Sequence, residues 1–461
     1  MNIAAVVLAA GKGTRMKSAL PKMLHPVCGR PMVTQVVGIL QEAGIHRIIV
    51  VVGPNEVADR LGDQIEFVTQ AEPLGTGHAV LQAEEALKGH NGPVVVVHGD
   101  TPLYLPDTIK ELVRYHQAAG ATGTVLTVDV EDPTGYGRII RDRDGSFVKI
   151  VEQKDATDEE AKTKEINSGT YVFAREPLFA ALHQIKPQNV QKEYYLTDVL
   201  AILRRERHKV DIYKHGDAEE ALGINNRAQL AVAEGILRDR IRKAWMLAGV
   251  TMLDPNTVYI DAEAKLAEDV VILPFTFIEG NSRIAKGSVI GPFARLKDAH
   301  LGENVTVTQA TVMASSIGAG AVVGPYSYIR PHCHIGAGAR IGGFCEIKNT
   351  VIGSNSKVPH LSYVGDTDVG SDVNIGAGTI TCNYDGAEKH RTIIEDRAFI
   401  GSNCNLVAPV VIGSDSYLGA GSTITGNVPP GALGVARSRQ RNIPDWAGKW
   451  GKKQSEEEES R

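Results

Sequence analysis

An α/β domain with a mostly parallel sheet, joined by one helix to a parallel β-helix of hexapeptide repeats, is the fold class this sequence predicts. Three observations carry it. Apolar runs alternate with amphipathic stretches through the first half; one helical stretch without strand signal follows; and an aliphatic residue returns every six positions through the second half. IAAVVLAA, HRIIVVVG, GPVVVVHG and TGTVLTVDV read as fully buried strands, while PMVTQVVGILQEAG and GHAVLQAEEALKG place apolar residues at helical spacing. Continuous apolar strands separated by helices predict a sheet covered on both faces. The stretch from Asn226 to Gly249 predicts a connecting helix, giving boundaries of 1–227, 228–248 and 249–461.

In the second half Ile260, Leu266, Ile272, Ile278, Ile284, Ile290 and Leu296 keep a six-residue beat. It resumes at Val323, Ile329, Ile335, Ile341 and Ile347, at Val358 and Val364, and from Ile394 to Ile424. This period is the signature of a parallel β-helix, each unit giving a short strand and a turn with the aliphatic residue inward. A β-sandwich would alternate with period two instead. Gly often follows the aliphatic residue, as at Ile317-Gly318 and Ile375-Gly376, and is expected at corners with positive φ. The insertion Thr381–Arg391 interrupts the beat and is expected to leave the prism as a loop. The tail is first basic, then ends in SEEEESR, a composition expected to be disordered.

The 461 residues carry a net charge of −5, which excludes a strongly basic nucleic-acid binder, so phosphorylated ligands would need local basic sites. The five cysteines include no CxxC pair and are odd in number, as expected of reduced intracellular thiols. The opening MNIAAVVLAAGKG lacks a basic n-region and reads as a buried strand, and no stretch approaches the roughly 18 apolar residues of a membrane span. A cytoplasmic protein without membrane or nucleic-acid partners is expected.

The first strand runs into Gly11-Lys12-Gly13-Thr14-Arg15-Met16, with Pro21-Lys22 beyond. A Gly-rich turn after a strand offers backbone N–H groups to phosphate, and Arg and Lys neutralise its charge. Alone, the Gly pair is also what a plain strand-to-helix turn shows. It is neither a Walker A loop nor a dinucleotide fingerprint. Asp100 follows the VVVV strand at its carboxyl end, where α/β sheets bind ligands.

The fuller string LAAGKGTRM…LPK resembles the opening of the nucleotide-sugar pyrophosphorylase family, and the likeness continues through QAEPLGTGHA, HGDTP, PTGYGRI, IVEQKDA, INSGTY, KEYYLTD and INNR. With the hexapeptide half, the whole chain from Ile3 to Arg441 resembles the family of bifunctional N-acetylglucosamine-1-phosphate uridylyltransferase/glucosamine-1-phosphate acetyltransferases. The resemblance implies a Rossmann-like nucleotidyltransferase domain, a left-handed β-helix and a homotrimer. It puts Leu8, Ala9, Ala10, Gly11, Gln70, Gly75 and Thr76 around a uridine, and Arg15 and Lys22 on the triphosphate. It puts Gly137, Glu152 and Asn167 on N-acetylglucosamine, and Asp100 and Asn225 on Mg²⁺, whose preference for oxygen ligands and phosphate suits them. His98 stands where some relatives have Tyr and is given no catalytic role.

In the second half, polar residues interrupt the ladder in YIRPHC, EIKNT and VPHLSYVGD, and NYDG sits in the insertion. A lone His in a β-helix is ordinarily a surface residue. By resemblance His360 is the general base for acetyl transfer, a task suited to an imidazole. Arg330, Lys348, Tyr363, Asn374, Tyr384 and Lys389 match positions on glucosamine-1-phosphate. Ala377, Asn383, Tyr384, Ser402, Ala420 and Arg437 match positions along acetyl-CoA. Val358-Pro359 replaces the family's Ala-Gly before this His, which bears on its positioning. Cys382 is read as a bystander. The alternative is a monofunctional sugar-1-phosphate nucleotidyltransferase whose β-helix serves only assembly.

Overall fold

A computed structural model describes residues 2–11, 13–54, 58 and 65–449. Lys12 and the acidic tail lie outside the described residues. The chain divides into two compact units, residues 1–244 with Ile260–Glu263, and Trp245–Tyr259 with 264–461.

The first unit is built on strands β1 (Ala4–Ala9), β2 (Arg47–Val52), β3 (Glu66–Thr69), β4 (Pro93–His98), β5 (Gly123–Asp129), β6 (Arg138–Arg141), β7 (Phe147–Val151), β8 (Glu165–Ala174) and β9 (Val210–Lys214). The main path of the sheet runs 9-5-8-4-1-2-3. Strands β1, β2, β3 and β4 are parallel, as are β5 and β9, while β8 lies antiparallel between β4 and β5. The sheet is therefore mixed. Side chains of β1 alternate between two cores: Ala4, Val6 and Leu8 on one face, Ala5, Val7 and Ala9 on the other. Burial on both faces is why these strands read as unbroken apolar runs.

Among the described residues the α-helices are α1 (Met32–Glu42), α2 (Thr76–Leu81), α3 (Pro106–Ala119), α4 (Arg175–Leu182), α5 (Asp198–Arg205) and α6 (Arg227–Leu247). Helix α2 is shorter than the spacing of GHAVLQAEEALKG predicts, and residues 82–89 form turns. The amides of Gln82, Ala83 and Glu84 reach back three residues rather than four, and Arg47 and Arg175 take the carbonyls of Ala86 and Leu87. Helix α6 buries Ala233 and Leu237 against Val27, Met32, Leu103 and Ile224, so its first part belongs to the core of this unit.

The second unit is a prism of three parallel sheets with eleven, ten and nine strands. Three hexapeptides make one coil: Val271 pairs with Val289 and Ile272 with Ile290. Every residue named for the six-residue beat is buried. The insertion begins later than the sequence predicts. Thr381 and Cys382 stay in the ladder opposite Leu406 and Val407, and the excursion is Asn383–Arg391, closed by a bridge between Tyr384 and Lys389.

Among the glycines after the aliphatic residues, Gly291 and Gly324 have the expected positive φ, at 102° and 109°, while Gly318, Gly336, Gly342, Gly376, Gly401 and Gly413 serve another purpose. Gly318 and its equivalents do not have positive φ; that conformation falls on corner residues such as Phe275, Asn304, Phe344 and Asp366. A Cβ on Gly318 would stand 2.6 Å from the Ala337 amide nitrogen, so the missing side chain is what lets one coil approach the next. Gly318→Ala should therefore destabilise the protein by about 1–3 kcal/mol through overpacking. Gly426→Ala, where a Cβ meets nothing within 4 Å, should change stability little. Thermal unfolding of the two variants checks the contrast.

Candidate functional site

In the first unit a cleft of about 910 Å³ opens at the carboxyl ends of β1 and β4. The structure brings Leu8, Ala10, Gly11, Arg15, Lys22, Gln70, Gly75, Thr76, Asp100, Glu152 and Asn225 together along it. Ala9, Gly137 and Asn167 do not line it. Ala9 packs into the core because it faces the opposite side of β1 from Leu8. Gly137 and Asn167 are joined to each other and stand next to the lining: the Gly137 carbonyl accepts from the Asn167 amide at 2.9 Å, and a Cβ on Gly137 would touch Glu152.

The turn after β1 is held close to the Lys22 segment. Gly13 has φ +59°, and a Cβ there would stand 2.4 Å from the Lys22 Cβ, so only glycine lets the two segments meet. Lys22 is 8% exposed. Its ammonium donates to the Asp100 carboxylate and, at 2.8 Å, to Asn225 Oδ1. Arg15 also donates to Asn225 Oδ1, at 2.8 Å. Burial alone would raise the Asp100 pKa, but Lys22 and His98 outweigh it and hold the carboxyl below its usual value. Burial, aided by Lys22 and opposed by Asp100, lowers that of His98.

The Asp100 and Asn225 oxygens thus converge on one cationic point, filled here by the Lys22 ammonium. Two hard oxygen donors facing a cleft fit Mg²⁺, which commonly takes one or two protein oxygens and completes its shell with water and phosphate. Among the described residues no group of three or more His, Cys, Asp or Glu is placed to hold a metal, so an all-protein cage is absent. Elsewhere in the lining, burial first and then Asp155 and Asp198 raise the pKa of Glu152.

In the second unit the register stacks the polar positions. Arg330 follows the strand Tyr328–Ile329, which pairs with Glu346–Lys348, and its amide donates to Ile347. Lys348 stands opposite Gly365, one coil on. Arg330 and Lys348 therefore occupy equivalent places on successive coils, and Lys389 of the excursion comes beside Lys348, which pushes the Lys389 pKa down. Like charges stacked across a ladder are unfavourable unless an anion meets them. Glu346 meets Arg330 at 2.9 Å and Asp366 meets Lys348 at 3.0 Å.

His360 ends the strand Lys357–His360, opposite Gly343, and is exposed. Its carbonyl accepts from the Ser362 hydroxyl at 2.8 Å. Pro359 packs so tightly over Gly342 that a Cβ on Gly342 would stand 1.9 Å from the Pro359 oxygen. Tyr363 begins the next strand of the same coil, and its hydroxyl lies 3.5 Å from Asn383 Nδ2. Asn374 pairs with Lys357 on the coil beyond, and the Ala377 carbonyl accepts from the Asn403 amide at 2.7 Å. Ser402, Ala420 and Arg437 are exposed further along the prism. A Cβ on Gly421 would lie 3.9 Å from Arg437 Cδ, which brings Ala420 and Arg437 into one neighbourhood.

Among known proteins, residues 5–207 match the MobA-like NTP transferase domain, and residues 314–349 and 391–426 match the bacterial transferase hexapeptide (six repeats). The bifunctional protein GlmU of Heliobacterium modesticaldum is 52% identical over 447 residues, covering 96% of this chain and 98% of that one. The GlmU of Syntrophomonas wolfei is 47% identical over 447 residues, covering 96% and 99%. The chain belongs to the GlmU family. The GlmU of Geobacillus thermodenitrificans is 48% identical over 454 residues, covering 98% and 99%. A crystal structure of UDP-glucose pyrophosphorylase complexed with UDP-glucose aligns with 52% of this chain and 100% of its own at 22% identity and TM-score 0.43, a likeness that adds nothing to the GlmU assignment. As in the hexapeptide transferases it matches, the second unit is a left-handed β-helix.

Two groups of residues beyond those the sequence singled out belong to these sites. Gln153, Lys154, Gln191, Glu193 and Tyr195 line the cleft. Asp366 is 7% exposed and accepts from Lys348 Nζ at 3.0 Å, from Asn349 Nδ2 at 2.7 Å and from Asn383 Nδ2. It ties the stacked cations to the start of the excursion, and its adjacency to Lys348 in the ladder is the one signal that could have found it. Burial raises the Asp366 pKa, but the bonds from Asn349, Lys348 and Asn383 outweigh it, so the folded value lies below the unfolded one of about 3.9. Its stabilisation is present above the unfolded value and is lost as pH falls through the folded one. Asp366→Asn should therefore lower the melting temperature at pH 7, and the gap from the parent should close as pH is lowered below about 4. Melting curves of both proteins across that range check this.

Proposed function

We propose that this chain makes UDP-N-acetylglucosamine at two sites, one in each unit. The β-helix acetylates glucosamine-1-phosphate with acetyl-CoA, and the α/β unit then couples the N-acetylglucosamine-1-phosphate formed to UTP with loss of pyrophosphate. The observation that carries the reading is that each unit of this GlmU-family chain holds its own cation cluster for a phosphorylated ligand: Lys22 with Arg15 in one, Lys348 with Arg330 and Lys389 in the other.

In the α/β unit, a phosphate oxygen of the sugar phosphate attacks the α-phosphorus of UTP, and the bond to the pyrophosphate oxygen breaks. Two anions must approach, so the task is positioning and charge compensation. Leu8, Ala10, Gly11, Gln70, Gly75 and Thr76 form the nucleoside end of the cleft, and the Ala9 backbone follows them. Glu152, supported by Gly137 and Asn167, forms the sugar end. Arg15 and Lys22 meet the phosphates between. Asp100 and Asn225 would hold Mg²⁺, which supplies further neutralisation of phosphate charge when bound.

In the β-helix, Arg330, Lys348, Tyr363, Asn374, Tyr384 and Lys389 hold glucosamine-1-phosphate. Asn383, Tyr384, Ala377, Ser402, Ala420 and Arg437 lie along acetyl-CoA. The sugar's ammonium has no lone pair, so a proton must leave nitrogen as it attacks the thioester carbon. His360 takes that proton, the carbon–sulfur bond breaks, and the CoA thiolate departs to be protonated. The exposure of His360 leaves its ring open to this role.

The protein works as a homotrimer in the cytoplasm and supplies bacterial cell-wall precursors. An exposed aromatic column on the prism supports association, with Phe275 stacked on Phe293 at 5.0 Å and Tyr326 on Phe344 at 5.1 Å. Among the described residues no helix is long and apolar enough to cross a membrane, and all five cysteines are free.

Assays of both half-reactions on one preparation test the reading. His360→Ala should lower acetyl transfer by roughly 10²–10⁴-fold and spare uridylyl transfer. Asp100→Ala should do the converse. Loss of both activities in either variant, or survival of acetylation in His360→Ala within a few-fold, would overturn the assignment. Sedimentation should give three copies of the 49.5 kDa chain.

A further inference from the structure

Gln70 lines the cleft with its side chain almost wholly buried, at 4% exposure. Two acceptors turn its amide one way. Its Nε2 lies 3.0 Å from the Gly75 carbonyl oxygen, which can only accept, so the atom there is the amide nitrogen. The same Nε2 lies 3.0 Å from His78 Nδ1. With both hydrogens engaged, the polar atom left is Oε1, which has no partner among the described residues. An amide held this way can accept and cannot donate.

His78 does not line the cleft. It stands in the first turn of α2, where Gln82 Nε2 donates to its carbonyl oxygen at 3.0 Å. The Gln82 amide nitrogen also stands 3.3 Å from His78 Nε2, so each ring nitrogen faces an amide, and a neutral imidazole can accept at only one of them. The shorter contact is the one from Gln70, at 3.0 Å, and an imidazole accepting there at Nδ1 carries its proton on Nε2 and serves Gln70 as an acceptor. Gly75 and His78 bracket the amide from two sides, so its nitrogen cannot exchange places with its oxygen without facing an oxygen or a bare ring nitrogen.

We propose that His78 is a positioning residue for nucleobase selection: it locks the Gln70 amide with only its oxygen free, so that the cleft takes a pyrimidine bearing N3–H, as uracil does, and refuses cytosine. The proposal rests on the reading that Gln70 meets the base. Uracil N3 carries a hydrogen between two carbonyls and can donate to Oε1. Cytosine N3 carries a lone pair, and would set acceptor against acceptor at Oε1. A site built for a hydrogen bond rejects the analogue that cannot make it far better than a merely apolar pocket does. A purely structural His78, packed near Tyr194 at a ring-centroid distance of 6.2 Å, would not affect this choice.

The test is steady-state uridylyl and cytidylyl transfer to N-acetylglucosamine-1-phosphate by the full-length protein, with thermal unfolding of each variant reporting that the α/β unit is folded. His78→Phe keeps a ring without an acceptor, and His78→Leu replaces it should the larger ring not fold. Either should shrink the UTP-to-CTP ratio of kcat/KM by roughly tenfold or more, mainly through KM for UTP. His78→Gln, which can accept through its own oxygen, should recover part of the ratio. Gln70→Ala should collapse it. If Gln70→Ala collapses the ratio while His78→Phe lowers both substrates together, His78 is only packing and the proposal fails. If Gln70→Ala leaves the ratio intact, Gln70 does not read the base and the proposal falls with that reading. A parent enzyme that transfers neither nucleotide overturns the proposed function itself.

Discussion

A parallel ladder holds equivalent residues of successive coils one above another, and the chemistry of the second unit depends on that stacking. The Ile and Val of the six-residue beat pile up inside the prism, and the corners are forced into backbone contact. The same ladder puts Arg330 over Lys348. Two cations at strand spacing repel one another, and the fold answers with Glu346 and Asp366 while leaving Lys389 under-compensated. Cations gathered this way favour an anionic group beside them.

The first unit reaches a similar end differently. There the sheet delivers the ends of β1 and β4 side by side, and the loops beyond them carry Gly13 and Asp100. A buried lysine beside a buried aspartate costs desolvation on both partners, which only close pairing offsets. Asn225, supplied from just before α6, adds an uncharged oxygen to the same point. A small shift of Lys22 toward phosphate would expose two oxygens for a divalent cation. Charge compensation is shared among a few groups, any one of which is weak alone.

Much of this could be read from the residues. The six-residue beat appears as a row of buried side chains without exception among those named, because periodicity reports which side of a strand must avoid water. The apolar runs marked the parallel strands for the same reason. The antiparallel β8 could not be told from its neighbours, since a strand buried on both faces looks alike in either direction. The early end of α2 escaped as well, because helical spacing does not register that Arg47 and Arg175, distant in sequence, take the carbonyls of Ala86 and Leu87 in the turns that follow it.

The sequence by itself determined the two-part architecture, the candidate ligand residues of the cleft and the polar interruptions of the prism, since each is written in local pattern or motif. Only the tertiary structure decided that Ala9 turns into the core while Leu8 faces the cleft side. It alone showed that the glycines after the aliphatic residues make room for the neighbouring coil, and that Asp366 and His78 orient the groups beside them. These are facts of close approach between segments, and a side chain's hydrogen-bond partners are set by where the backbone brings it, which spacing along one chain does not state.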